Sequence, residues 1–251
     1  MMGSFDSLLK RAYDKSKILF AVLWIIAYCL LMSVGDGLSA AAGIEKLFSL
    51  LIGLLLSAVL FVFLKKHGLL KTYGLCRSGV SARDMLYYIP LAALLTANLW
   101  FGISIHYSPA EAVLYILTMF CVGFLEELIF RGLLFNGMRQ DNVTTAVIVS
   151  SVTFGIGHII NLINGSGAEL VPNLLQVIYA TAAGFMFVMI YLKTNSLIGC
   201  IVTHSLFNAL SVFGADAPTL PLQMLSCLML TVITGTYAVY ITLTMRKTQN
   251  Y

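Results

Sequence analysis

The sequence predicts an all-α fold: a polytopic membrane helix bundle of about eight transmembrane helices, forming a single membrane domain over residues 1–251. Three observations predict it. Of the 251 residues, 59% are hydrophobic and only 10% charged, and the mean hydropathy is +0.92, which leaves too little polar surface to cover a soluble globule. Apolar runs close to the ~20 residues that a helical span requires recur along the whole chain. The basic residues collect in alternate connecting segments, the pattern that orients helices in a bilayer.

The first span is expected at 18–35, after the basic start Lys10, Arg11, Lys15 and Lys17. That start, together with the small residues from Ser39 to Gly43, also resembles a secretory signal. The apolar run from Ile18 to Val34 is longer than a typical signal core, which favours a retained anchor. Cleavage there would leave seven spans and leave the polar residues discussed below untouched.

The second span falls at 47–64 and the third at 85–105, with Pro90 expected to kink it. The fourth, at 110–136, has a legible start: Ser108 can cap, Pro109 suits the first helical position, and Glu111 stands where a capping box needs its carboxylate. The remaining spans are expected at 143–161, 173–192, 197–213 and 222–244, with Pro172, Pro218 and Pro221 marking loop exits. If these alternate, Lys65, Lys66, Lys71, Arg77, Arg83, Arg139, Lys193, Arg246 and Lys247 join the N-terminal cations on one side. Only Lys46 falls on the other, and Arg131 lies inside a span. The positive-inside rule then makes both termini and the loop at 65–84 cytoplasmic, with a prokaryotic plasma membrane as the setting suggested by the short basic loops.

Other partners find little support. The formal charge of +4 comes from these short loops and termini, so it speaks for the lipid bilayer and against a nucleic acid. The cysteines, Cys29, Cys76, Cys121, Cys200 and Cys227, are odd in number and lack CxxC spacing, and they read as small core residues.

Against this background a few polar residues stand out. The run CVGFLEELIFRGLLF puts Glu126, Glu127 and Arg131 into an apolar helix, at a cost of roughly 2.5–3.5 kcal/mol for each charge near the bilayer centre. Glu127 and Arg131 are one turn apart and can form an ion pair, either as a packing device or in direct support of chemistry. Glu126 points about 100° away and is free to meet another neighbour. On the fifth span Phe154 and His158 share a face, and Gly155 and Gly157 allow a neighbouring helix to come close. Phe154 alone reads as packing, and a lone intramembrane histidine as a satisfied interhelical hydrogen-bonding group. The seventh span repeats the pattern with His204 and Asn208. His67 and His106 lie in a basic loop and at a span end and are assigned nothing. By depth, Glu126 and His204 come out near the midplane or in the cytoplasmic half, with His158 further outward. Because each is costly in lipid without a polar partner, Glu126, His158, His204 and Asn208 are expected to converge on one cavity, open to the cytoplasmic side.

The three segments in order, Glu-Glu-x-x-x-Arg, Phe-x-x-x-His and His-x-x-x-Asn, each on its own span, resemble the CAAX protease and bacteriocin-processing family of intramembrane proteases, also called the Abi or type II CAAX endopeptidase family. The resemblance covers roughly residues 85–213. It implies hydrolysis of a peptide bond in a membrane-associated or lipidated protein or peptide substrate. In that reading Glu126 and His158 activate a water, His204 and Asn208 stabilise the oxyanion, and Glu127, Arg131 and Phe154 support the site. Members are often labelled metalloproteases, and a metal-free glutamate mechanism has also been proposed. Glu126, His158 and His204 could satisfy a catalytic zinc with an open position, but no HExxH forces that choice, and the reading leans to no permanently bound metal.

Two other classes use the same residues. Intramembrane Glu, His and Arg also mark a transporter or proton relay, although Asn208 one turn from His204 suits acyl-transfer chemistry better and no paired broken helices are legible. A non-proteolytic bacteriocin-immunity protein is the third reading, and the intact motifs argue against it.

Overall fold

The computed structural model describes residues 2–164, 168–215 and 219–249, so Pro218 lies outside the described residues. Helix α1 (Met2–Lys15) precedes α2 (Lys17–Ala42), and Ser16 separates them by accepting a hydrogen bond from the Leu19 amide at 3.2 Å. This side-chain oxygen satisfies one of the amides that a helix start leaves unpaired. Gly43 ends α2 in the left-handed region, and α3 (Leu47–Lys66) returns antiparallel along it.

Among the described residues, six helices are long and apolar enough to cross a membrane: Lys17–Ala42, Leu47–Lys66, Pro109–Met138, Val143–Leu162, Leu170–Thr194 and Leu220–Met245. Two shorter apolar segments, Ile89–Leu99 and Ile198–Phe213, stand where the third and seventh spans were expected.

The third departs most from expectation. In place of a kinked helix over 85–105, a 3-10 helix (Arg83–Tyr88), the seven-residue α4 (Ile89–Leu95) and a 3-10 turn (Ala97–Leu99) carry the chain. Pro90 does not kink a long helix but sits in the first turn of a short one, where its missing N–H costs nothing and its fixed φ suits the helix. Side chains pair backbone carbonyls at and facing this irregular stretch, one donor coming from a neighbouring helix and one from the stretch itself. Tyr237 donates to the Met85 carbonyl at 2.7 Å, and Asn98 Nδ2 donates to the Phe207 carbonyl at 2.5 Å. Burial in protein is what permits a non-helical backbone at membrane depth.

Helix α5 (Pro109–Glu126) begins with the expected capping box of Ser108 and Glu111. It continues without a break into a nine-residue π-helix (Glu127–Phe135) and the short α6 (Asn136–Met138). Such i→i+5 segments are rare and concentrate at functional sites. Helix α7 (Val143–Gly157) tightens into a 3-10 turn at His158–Leu162. It lies against α8 (Leu170–Thr194), which also contacts α10 (Leu220–Gln249), while α9 (Ile198–Leu210) lies against α5.

The bundle has two distinct ends. At one, the loop after α3 is tied to the α8–α9 turn, with Gly79 N donating to the Thr194 carbonyl at 2.7 Å and Leu197 N to the Gly74 carbonyl at 2.8 Å. This end carries the basic loops. The opposite end is closed by an isolated bridge between Ile103 and Gly214 and by Ser104 N donating to the Phe213 carbonyl at 3.0 Å. Between the ends, large apolar side chains such as Leu30, Val34, Leu55, Leu228 and Val239 are exposed on the outer faces, as helices facing lipid require.

Candidate active site

Close helix approach brings the polar groups together. A Cβ on Gly123 of α5 would lie 2.3 Å from Ser205 Oγ and 2.7 Å from the Ser205 amide nitrogen. Only glycine therefore lets α9 bring His204 against Glu126 and Glu127. Gly155 does the same for α7 and α8, since its Cβ would meet Thr181 Oγ1 at 1.9 Å. Gly157, expected to share that role, has nothing within 4 Å of a built Cβ; it lines the cavity instead of a helix contact.

At the base of the site, Glu127 and Arg131 are fully buried. Glu127 Oε1 accepts from an Arg131 terminal nitrogen at 3.1 Å and lies 2.8 Å from His204 Nδ1. The guanidinium stacks over the Phe154 ring, 3.9 Å from its centroid, and lies 5.5 Å from that of Phe187. The His204 ring is held edge-on by Phe154 at 5.7 Å and stacked on Phe187 at 5.8 Å. Phe154 is thus more than filler: one face holds the arginine and the ring also orients both histidines, since His158 packs edge-on against it at 5.2 Å.

Glu126 stands one residue before this pair and faces another way, as its helical rotation predicts. Its Oε1 accepts from the Tyr28 hydroxyl at 2.6 Å, and its Oε2 lies 3.5 Å from His204 Nε2 with no hydrogen-bond partner. His158 sits where α7 tightens. Its Nδ1 lies 3.1 Å from the Phe154 carbonyl, and its own carbonyl accepts from Asn173 Nδ2 at 2.9 Å. With Nδ1–H donating to that carbonyl, Nε2 is left as the acceptor.

Glu126, Phe154, His158 and Asn208 line a cavity of about 370 Å³. A smaller apolar chamber of about 70 Å³ adjoins it, sharing His158 and Asn208 and also touched by His204, Ala183, Phe187 and Leu230. Of the four motif residues named for catalysis, Glu126 lines the larger chamber and His204 the smaller, while His158 and Asn208 border both.

The direction of the cavity corrects the expectation from sequence. From Glu126 it runs along Met32, Ser33 and Asp36 of α2, along Thr118 and Tyr115 of α5 and along Asn161 and Asn164 beyond α7, as far as Lys46. Every one of these lies toward the end opposite the basic loops. Below Glu126 the buried Glu127–Arg131 pair, Phe130 and Leu128 close the floor. The cavity opens away from the side read as cytoplasmic because the glutamates and histidines rest on a dense apolar layer at the basic end.

At the mouth, Lys46 Nζ lies 2.9 Å from Asp36 Oδ1 and 3.7 Å from Glu45. Burial pulls its ammonium pKa down, but the Asp36 carboxylate outweighs this and the net direction is upward.

Two contributors were not singled out from the sequence. Tyr28 belongs to the first span, so a cleavage beyond it would leave the motif residues in place but remove a partner of Glu126. Asp36 could have been found by the cost argument that picked out Glu126, being a carboxylate in an apolar run. Tyr28 carries no comparable signal, since tyrosine is tolerated in membrane helices.

The zinc alternative meets a poor donor set. Among the described residues, no group of three His, Cys, Asp or Glu side chains could hold a metal ion. No step below is routed through a metal.

No curated protein and no solved structure matches the chain. Residues 108–210, which carry all three motifs, match the family described as type II CAAX prenyl endopeptidase Rce1-like. This segment of an all-helical, multi-spanning protein is thus similar to that family of membrane proteases.

Proposed function

We propose that this protein is an intramembrane endopeptidase that hydrolyses a peptide bond by a glutamate-and-histidine mechanism. The observation that carries the reading is the buried, unpartnered Oε2 of Glu126 beside a cavity that His158 and Asn208 also line. A water between Glu126 Oε2 and His158 Nε2 would lose its proton to the carboxylate as its oxygen attacks the scissile carbonyl. Asn208 Nδ2 and the Nε2 side of the His204 ring would receive the oxyanion. Glu127 holds the His204 ring at Nδ1 and is itself paired with Arg131. Glu126 would then pass its proton to the leaving amine as the C–N bond breaks. The dry, rigid surroundings strengthen each of these interactions.

A transporter is less well supported, since the described cavity lining stops at Glu126 and Phe130 and does not continue to the basic end.

Purified protein assayed on a panel of membrane-embedded and lipidated peptides tests the proposal. Glu126→Gln keeps the shape and removes the base, so turnover should vanish while the detergent melting temperature stays near wild type. Near wild-type cleavage by this variant would sink the mechanism.

A further inference from the structure

We infer that the peptide bond presented to this site comes from the non-cytoplasmic side of the membrane; the inference rests on the protease reading above. Two independent observations lead to it. The first is the shape of the site. Among the described residues, the cavity wall runs from Glu126 only toward the end that carries the α2–α3 turn and the α7–α8 connection, and Phe130 with the Glu127–Arg131 pair seals it beneath. The second is charge. Among the described residues, that same end holds a single basic side chain of the Lys and Arg class, Lys46, already paired with Asp36, and it also carries Glu45, Glu111 and Glu169. The other end holds Lys65, Lys66, Lys71, Arg77, Arg83, Arg139 and Lys193. Cytoplasmic segments carry the excess of Lys and Arg, so the sealed end faces the cytoplasm and the open one does not.

The substrate class follows. A cytoplasmic chain terminus would have to pass the apolar floor to reach Glu126. An exported peptide, or a non-cytoplasmic segment of a membrane protein next to its anchor, has an open path. The wall along that path offers Ser33, Asp36, Asn161 and Asn164, polar groups suited to a hydrated, extended backbone. The adjoining apolar chamber, bounded by Ala183, Phe187 and Leu230, suits one aliphatic side chain next to the scissile bond.

Accessibility of single cysteines in a chain whose natural cysteines are replaced by alanine tests the direction. Ser33→Cys reports the cavity wall, and Thr72→Cys reports the exposed loop at the basic end. A membrane-impermeant maleimide applied to intact cells should label Ser33→Cys at once and Thr72→Cys only after permeabilisation. Labelling of Thr72→Cys in intact cells, or of Ser33→Cys only after permeabilisation, overturns the inference. A second measurement keeps all natural cysteines: sealed right-side-out vesicles receive a water-soluble fluorogenic peptide library outside. Cleavage should proceed without detergent and stop in Glu126→Gln. Cleavage that begins only with detergent overturns the inference and leaves the protease reading standing. The expected labelling with no cleavage under any condition confirms the direction of access and counts against the protease reading.

Discussion

Arg131 and Tyr28 hold the two adjacent glutamates in different states of engagement. Arg131 is fully buried between the Glu127 carboxylate and the face of Phe154. Removing one partner of such a pair leaves an uncompensated charge, at a cost of about 3–5 kcal/mol. Arg131→Ala should therefore lower the yield of folded protein and the detergent melting temperature, whereas Glu126→Gln should not; equal stability of the two variants would refute this division of labour. Tyr28 acts on the other glutamate through a 2.6 Å hydrogen bond to Oε1. A hydrogen bond to a charged group contributes about 1.5–3 kcal/mol. Tyr28→Phe, which deletes only the hydroxyl, should lower kcat by roughly ten- to a hundredfold with KM little changed. An unchanged kcat would mean that Glu126 is positioned without it.

At the scale of elements, two glycines with the same sequence prediction separate. Gly155 and Gly157 both read as close-contact positions on one helix, yet only Gly155 faces Thr181 while Gly157 borders open space. Gly123, which drew no notice in the sequence, makes the contact on which the site depends. Gly123→Ala must push α9 from α5, with overpacking that costs typically about 1–3 kcal/mol and a displacement of His204 relative to Glu126. Melting temperature and cleavage should fall together. Gly157→Ala should leave stability unchanged or raised by up to about 1 kcal/mol, the gain in helix propensity. Thermal melts of the two variants check this, and similar losses in both would refute it. The third segment makes the same point about elements. Its hydropathy marks a span at 85–105, but hydropathy cannot report that the chain there is a short helix between two 3-10 turns. That depends on hydrogen bonds between this segment and distant parts of the chain, from Tyr237 to the Met85 carbonyl and from Asn98 to the Phe207 carbonyl.

At the scale of the whole molecule, composition and periodicity alone determined the membrane class, the helical fold and the residues worth suspecting, and they marked eight apolar segments, six of which are, among the described residues, helices long enough to cross a membrane. The physical reason is that lipid forbids unpaired backbone and penalises every buried charge, so helices and functional charges both announce themselves in a linear sequence. Motif order also sufficed to point to the family found over residues 108–210. Only the tertiary structure decided that Tyr28 holds Glu126, that Glu127 is shared between Arg131 and His204, and that the cavity opens away from the basic loops. These outcomes depend on which helices approach within a glycine's width and on how the side chains of several distant segments stack. Sequence spacing along any one helix does not contain that information.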